Sequence, residues 1–169
     1  MDGQKIILIG YMGAGKTSVG RALAKKRKQR FLDMDEEIVR REGMAVTEIF
    51  RLHGEEAFRQ METRLLEELL GLEEDLIISA GGGLPVRPEN RRLLKEFGTV
   101  VYLQADKDTV VSRLRGDESR PLLAGADLET KVETMLQERG PFYQEAADLT
   151  VNGNNKTVEE IVKEIEGQL

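Results

Sequence analysis

A chain of 169 residues, 40% hydrophobic and 33% charged, has the length of one domain and enough apolar material to bury a sizeable core. Its formal net charge of -6 argues against broad nucleic-acid binding, which needs a basic field, and no apolar run approaches the length that crosses a bilayer. The lack of cysteine excludes disulfides and thiolate chemistry, and the single histidine, His53, excludes a histidine–cysteine zinc site.

The opening MDGQKIILIG is too short in its apolar stretch for a signal peptide, and Lys5 to Ile9 within it reads as a buried strand. Lys16 to Lys28 follows with Val19 and Leu23 at helical spacing. It ends in the basic run Lys25 to Arg30, which complements a helix C-terminus more simply than it makes a nucleic-acid patch. Phe31 to Asp33 is a brief second strand. Gly54 to Leu70 is a helix, with Phe58, Met61, Leu65 and Leu69 on one face, and His53 lies exposed near a helix end. Leu76 to Ser79 is a third strand closed by Gly81, Gly82 and Gly83. Pro88 to Phe97 reads as a helix with proline in its first turn, and Thr99 to Leu103 as a fourth strand. Asp106 caps a helix running to about Leu114. Arg115 to Asp127 has few apolar residues and reads as a mobile lid. Leu128 to Ala147 is a helix interrupted by Pro141, Leu149 to Val151 a last strand, and Thr157 with Glu160 a capping box for the closing helix. Strands alternating with helices give an α/β fold in three α/β/α layers: a five-stranded parallel sheet covered on both faces, in one domain spanning 1–169.

The first strand runs into Gly10-Tyr11-Met12-Gly13-Ala14-Gly15-Lys16-Thr17-Ser18, which fits G-x-x-x-x-G-K-[ST], the phosphate-binding P-loop. The glycines let the backbone coil so that N–H groups from Gly13 to Ser18 point at a nucleotide's phosphates. The helix that follows presents its positive end to the same anion. Lys16 is placed to reach the β- and γ-phosphates of ATP, and the Thr17 hydroxyl to bind Mg²⁺.

A P-loop serves switches, mechanical ATPases and small-molecule kinases. No Asn-Lys-x-Asp or Asp-x-x-Gly segment is present, and the strands at 76–79 and 99–103 do not end in aspartate. This weighs against a GTPase switch and a standard Walker B ATPase. The second strand instead ends Asp33-Met34-Asp35. Asp33 suits a metal-bound water, since hard cations prefer oxygen. Asp35 either accepts a hydrogen bond from an acceptor hydroxyl or, with Glu36 and Glu37, forms the acidic first turn of a helix. Arg59 with Glu62 reads from spacing alone as an exposed ion pair, and the Gly81–Gly83 triplet as a turn needing positive φ.

Taken in order, the P-loop, Asp33 and Asp35, Phe58-Arg59 with Glu62, the glycine triplet, Arg120-Pro121-Leu122-Leu123 and Arg139 to Tyr143 resemble the shikimate kinases. These are small members of the nucleoside-monophosphate-kinase-like P-loop group, and the likeness runs from Ile6 to the final helix. The resemblance implies Mg-ATP-dependent phosphorylation of the 3-hydroxyl of shikimate, in aromatic amino-acid biosynthesis in the cytoplasm. It implies that Arg59 and Arg139 grip the acceptor carboxylate, with Gly81, Gly82 and Gly83 against the ring. Asp35 then binds ring hydroxyls and is the candidate base. Arg120 closes over the phosphates with the lid, while Arg113 and Asn154 border the adenine. Small-molecule substrates, no nucleic acid or membrane partner, and a monomer are expected. The rival readings are another small-acceptor kinase of this fold, for gluconate or a nucleotide, and a non-catalytic nucleotide-binding switch.

Overall fold

The computed structural model describes residues 5–115 and 127–169. Most of the expected lid and its Arg120 lie outside the described residues. The sheet comprises β1 (Lys5–Ile9), β2 (Arg30–Asp33), β3 (Leu76–Ser79), β4 (Thr99–Gln104) and β5 (Leu149–Asn152). All pairings are parallel, in the order β2-β3-β1-β4-β5. Ile6 to Ile9 and Leu76 to Ile78 are fully buried, as strands covered on both faces must be, and so they read as continuous apolar runs without alternation.

The helices are α1 (Lys16–Arg27), α2 (Met34–Glu42), α3 (Val46–His53), α4 (Glu55–Leu70), α5 (Pro88–Leu94), α6 (Lys107–Arg115), α7 (Leu128–Ala146) and α8 (Val158–Gln168). α1 packs on α8 and on β2 and β3. α5 packs on both α4 and α7, and α7 reaches the sheet at β4. The outcome is the expected three-layer α/β/α arrangement. The chain leaves β1 for β2 on one side and later returns to β4 on the other. The C-terminal end of β1 is therefore a point where the strand order diverges, the usual ligand crevice of such sheets.

Local chemistry sets the element ends. Lys28 closes α1 in the left-handed conformation (φ 56°), and the basic run at this helix end is partly neutralised where Lys26 meets Glu166 on α8 at 2.8 Å. Asp106 Oδ1 accepts the Thr109 N–H at 2.8 Å, and Thr157 with Glu160 forms the expected reciprocal capping box. After Asp33 the chain enters α2 at Met34, the helix start that was one of the two readings of Asp35, and then α3. Two expectations need correction. The helix after Pro88 ends at Leu94, short of Phe97. Pro141 does not interrupt α7. Proline removes one backbone hydrogen bond, but the burial of Leu128 and Val132 before it and of Tyr143 and Ala146 after it holds both halves on the core. Among the described residues no helix is long and apolar enough to cross a membrane.

Candidate active site

A cavity of about 820 Å³ opens at the C-terminal end of β1. One end is the P-loop. Gly13 (φ 82°) and Gly15 (φ 92°) occupy left-handed positions that only glycine takes cheaply, and they turn the chain from β1 into α1. Gly10 is needed for space, because a Cβ there would lie 2.6 Å from the Leu103 carbonyl oxygen. The first turn of α1 carries no acidic residue, so its positive end is left for an anion. Lys16 is buried and donates from Nζ to the carbonyls of Gly10 (2.6 Å) and Tyr11 (3.1 Å).

The Asp33 carboxylate is oriented by a helix cap. Its Oδ1 accepts the Glu36 N–H at 3.0 Å, capping α2, which leaves Oδ2 to accept from the Thr17 hydroxyl at 2.8 Å. Asp35 sits in the first turn of the same helix and still lines the cavity. The two sequence readings of Asp35 are thus compatible: it lies in the first turn of a helix and also lines the cavity.

The other end of the cavity is built around the glycine triplet. Each glycine lies against a charged head. A Cβ on Gly81 would fall 2.7 Å from Glu62 Oε2 and 2.9 Å from Asp35 Oδ1. On Gly82 it would be 3.5 Å from Arg139 Nη1, and on Gly83 2.6 Å from both terminal nitrogens of Arg59. None of the three takes a left-handed φ, so the positive-φ turn expected from sequence is not the reason for them. For Gly81 and Gly83 the reason is close approach, whereas a Cβ on Gly82 would make only ordinary contacts; the triplet's backbone is the floor beside which four ionisable groups rest. Tyr143 on α7 fixes that floor by donating its phenol to the Gly82 carbonyl at 2.6 Å.

Arg59 and Glu62 pair on α4 at 2.7 Å, with Glu55 adding a 3.3 Å contact to the same guanidinium. This is not the exposed pair that spacing alone suggested, since Glu62 is fully buried. Burial pushes its carboxyl up to about 7, against the opposing pull of Arg59. Its Oε2 is buried without a hydrogen-bond partner among the described residues. Arg139 reaches in from α7, with its guanidinium 5.8 Å from the Tyr11 ring centre.

The cavity thus gathers Gly13, Gly15, Lys16, Thr17, Ser18, Asp33, Asp35, Arg59, Gly81, Gly82, Gly83, Arg113 and Arg139. Arg113 donates to the Gly13 carbonyl at 2.8 Å, beside the P-loop. Two expected residues do not line it. Ala14 is buried and turns inward, its N–H donating to the Tyr11 carbonyl (3.1 Å). Asn154 instead accepts the Asp106 N–H at 2.9 Å, tying its loop to the start of α6. Sequence reasoning missed the apolar wall. Phe50 and Phe58 meet edge-on with ring centres 5.2 Å apart, and Val46, Thr47 and Met135 line the same space. Phe58 fell on a helical stripe, where an aromatic reads as ordinary core.

A pair of arginines and a row of backbone floor, facing a phosphate loop across one cavity, suits a small carboxylate bearing hydroxyls next to a nucleoside triphosphate. Comparison with known proteins agrees. A family model described as shikimate kinase matches residues 12–169. A shikimate kinase of Chromobacterium violaceum is 42% identical over 162 residues, covering 96% of this chain and 88% of that one. A solved shikimate kinase of Acinetobacter baumannii, in complex with shikimate, superposes with a TM-score of 0.92 at 38% identity, covering 98% of this chain and 92% of that one. A gluconokinase of Sinorhizobium meliloti shares the fold alone, at 21% identity and a TM-score of 0.59, covering 96% of this chain and 89% of that one.

Proposed function

This chain belongs to the shikimate kinase family, and on that premise we propose how its residues divide the work of an ATP-dependent kinase acting on a hydroxyl of shikimate. The observation that carries the reading is the convergence of Arg59, Arg139 and the glycine floor on the cavity that holds the P-loop. Residues 1–169 act as one kinase domain, a cytoplasmic monomer with small-molecule substrates.

Lys16 and the P-loop N–H groups hold the phosphates of ATP. Lys16 exchanges its two carbonyl partners for phosphate oxygens and follows the charge that builds on the transferred group. Arg113 stands over the loop on the nucleotide side. Arg59 and Arg139 grip the acceptor carboxylate, each guanidinium offering two parallel donors. Glu62 keeps Arg59 in place from below. Asp35, beside Gly81, accepts from the acceptor hydroxyl and aligns it for in-line attack, since a loose phosphoryl transfer gains more from positioning than from a strong base.

Thr17 and Asp33 fit Mg²⁺, with two hard oxygens meeting at 2.8 Å beside the phosphate loop. Among the described residues no group of three or more acidic or histidine side chains forms a protein cage. Bound by Thr17 and Asp33, the cation would supply charge neutralisation to the nucleotide phosphates.

Steady-state kinetics of two variants test the assignment. Lys16→Ala lowers kcat with the fold intact, and Arg139→Ala chiefly raises KM for shikimate. A wild-type shikimate KM in Arg139→Ala overturns the carboxylate assignment. The gluconate and nucleotide alternatives are not favoured by any residue of the site, and the switch reading leaves the glycine floor and both arginines without a role.

A further inference from the structure

Two neighbouring side chains on α5 lie behind the cavity wall and outside its lining. Asn90 is fully buried. Its Nδ2 donates to the Leu84 carbonyl at 2.9 Å, and its Oδ1 accepts from the Thr63 hydroxyl at 2.8 Å. Thr63 lies one residue after Glu62, and its single proton is shared with the Arg59 carbonyl at 3.1 Å. The reverse orientation of the Asn90 amide would set its oxygen against the Leu84 oxygen, so the network fixes which way it faces. Arg91 turns to the other side. Its Nη1 donates to the carbonyls of Pro85 (2.9 Å) and Val86 (2.8 Å). The same guanidinium pairs with Glu145 at 3.1 Å and stacks 4.5 Å from the centre of the Phe142 ring, three residues after Arg139 on α7.

The turn leaving the glycine floor, Leu84–Val86, is therefore bonded by Asn90 towards α4 and by Arg91 towards α7. These helices carry the two arginines of the site. A buried amide costs stability unless every bond is made, and when every bond is made it admits one arrangement. We infer that Asn90 and Arg91 are positioning residues that hold Arg59, Arg139 and the glycine floor in one register, and so set the affinity for the acceptor carboxylate. The inference rests on the assignment of that carboxylate to Arg59 and Arg139.

The test uses Thr63→Val, which removes one hydroxyl at constant volume, and Arg91→Lys, which keeps charge but not the paired donors. Both avoid the unfolding that Asn90→Ala risks. Shikimate KM, ATP KM and kcat are measured for each, alongside thermal midpoints and an Arg139→Ala control. The expected result is a rise in shikimate KM of about fivefold per variant, the order one hydrogen bond gives, with ATP KM within twofold of wild type. A merely structural role predicts lower midpoints with both KM values unmoved or moved together, and either pattern overturns the inference. A wild-type shikimate KM in Arg139→Ala removes the carboxylate assignment and the inference with it. A raised KM in Arg139→Ala with none in the other two removes the inference alone.

Discussion

Replacing Gly83 by alanine isolates the acceptor site from the rest of the fold. Gly83 has φ -90° and ψ -4°, values alanine adopts without strain. Its new methyl, however, would lie 2.6 Å from both terminal nitrogens of Arg59 and 2.7 Å from the central carbon, where ordinary contact begins at 3.4 Å. The difference, 3.4 minus 2.6, requires the guanidinium to retreat by about 0.8 Å. A side-chain tip can move that far, so the fold survives with a cost of about 1 kcal/mol or less. The retreat disturbs the 2.7 Å pair with Glu62 and takes the fork off the acceptor. Losing a charge-assisted hydrogen bond costs about 1.5–3 kcal/mol, roughly a tenfold to hundredfold rise in shikimate KM. The assay is initial rate against shikimate at saturating ATP, then against ATP at saturating shikimate. A Gly83→Ala enzyme with shikimate KM within twofold of wild type refutes the geometry given to Arg59.

Glu62 gives a pH signature in the absence of substrate. Its folded pKa, about 7, lies above the unfolded value of 4.5, so its contribution to stability is fully present below pH 4.5 and lost as pH rises through 7. The loss is on the order of 3 kcal/mol across that window, and Glu62→Gln flattens that part of a urea-denaturation profile. An unchanged slope in the variant would show that the carboxyl is not held protonated by burial. Asp33→Asn keeps the cap on α2 but removes the charge beside Thr17, so it raises the Mg²⁺ concentration for half-maximal rate by tenfold or more in a metal titration, on the order expected of a lost hard ligand. Gly15→Ala forces a side chain into φ 92° and to 3.3 Å from Arg113. It abolishes nucleotide binding by calorimetry, while shikimate binding persists.

The parts of the molecule written in backbone geometry were legible in sequence. The P-loop could be read because Gly13 and Gly15 are the residues its left-handed turns require. Asp106 and the Thr157–Glu160 box could be read because a cap acts within four residues. Beyond the acidic helix start at Asp35 to Glu37, the two helices between Asp33 and Gly54 were not legible. α2 buries only Met34 and Ile38, and α3 only Ile49, too few to show a period among so many charges. Nor was the role of the glycine triplet, which depends on Glu62, Asp35, Arg139 and Arg59 arriving from three helices. Arg59 alone looks like a surface ion pair, and only the fold reveals that its partner is wholly buried.

The central claim is tested most directly by a coupled assay of ADP release from Mg-ATP, with and without shikimate. The account predicts release that depends on shikimate, saturates with it, and is lost in Lys16→Ala. An enzyme that binds ATP yet releases ADP at the same rate whether or not shikimate is present would contradict it.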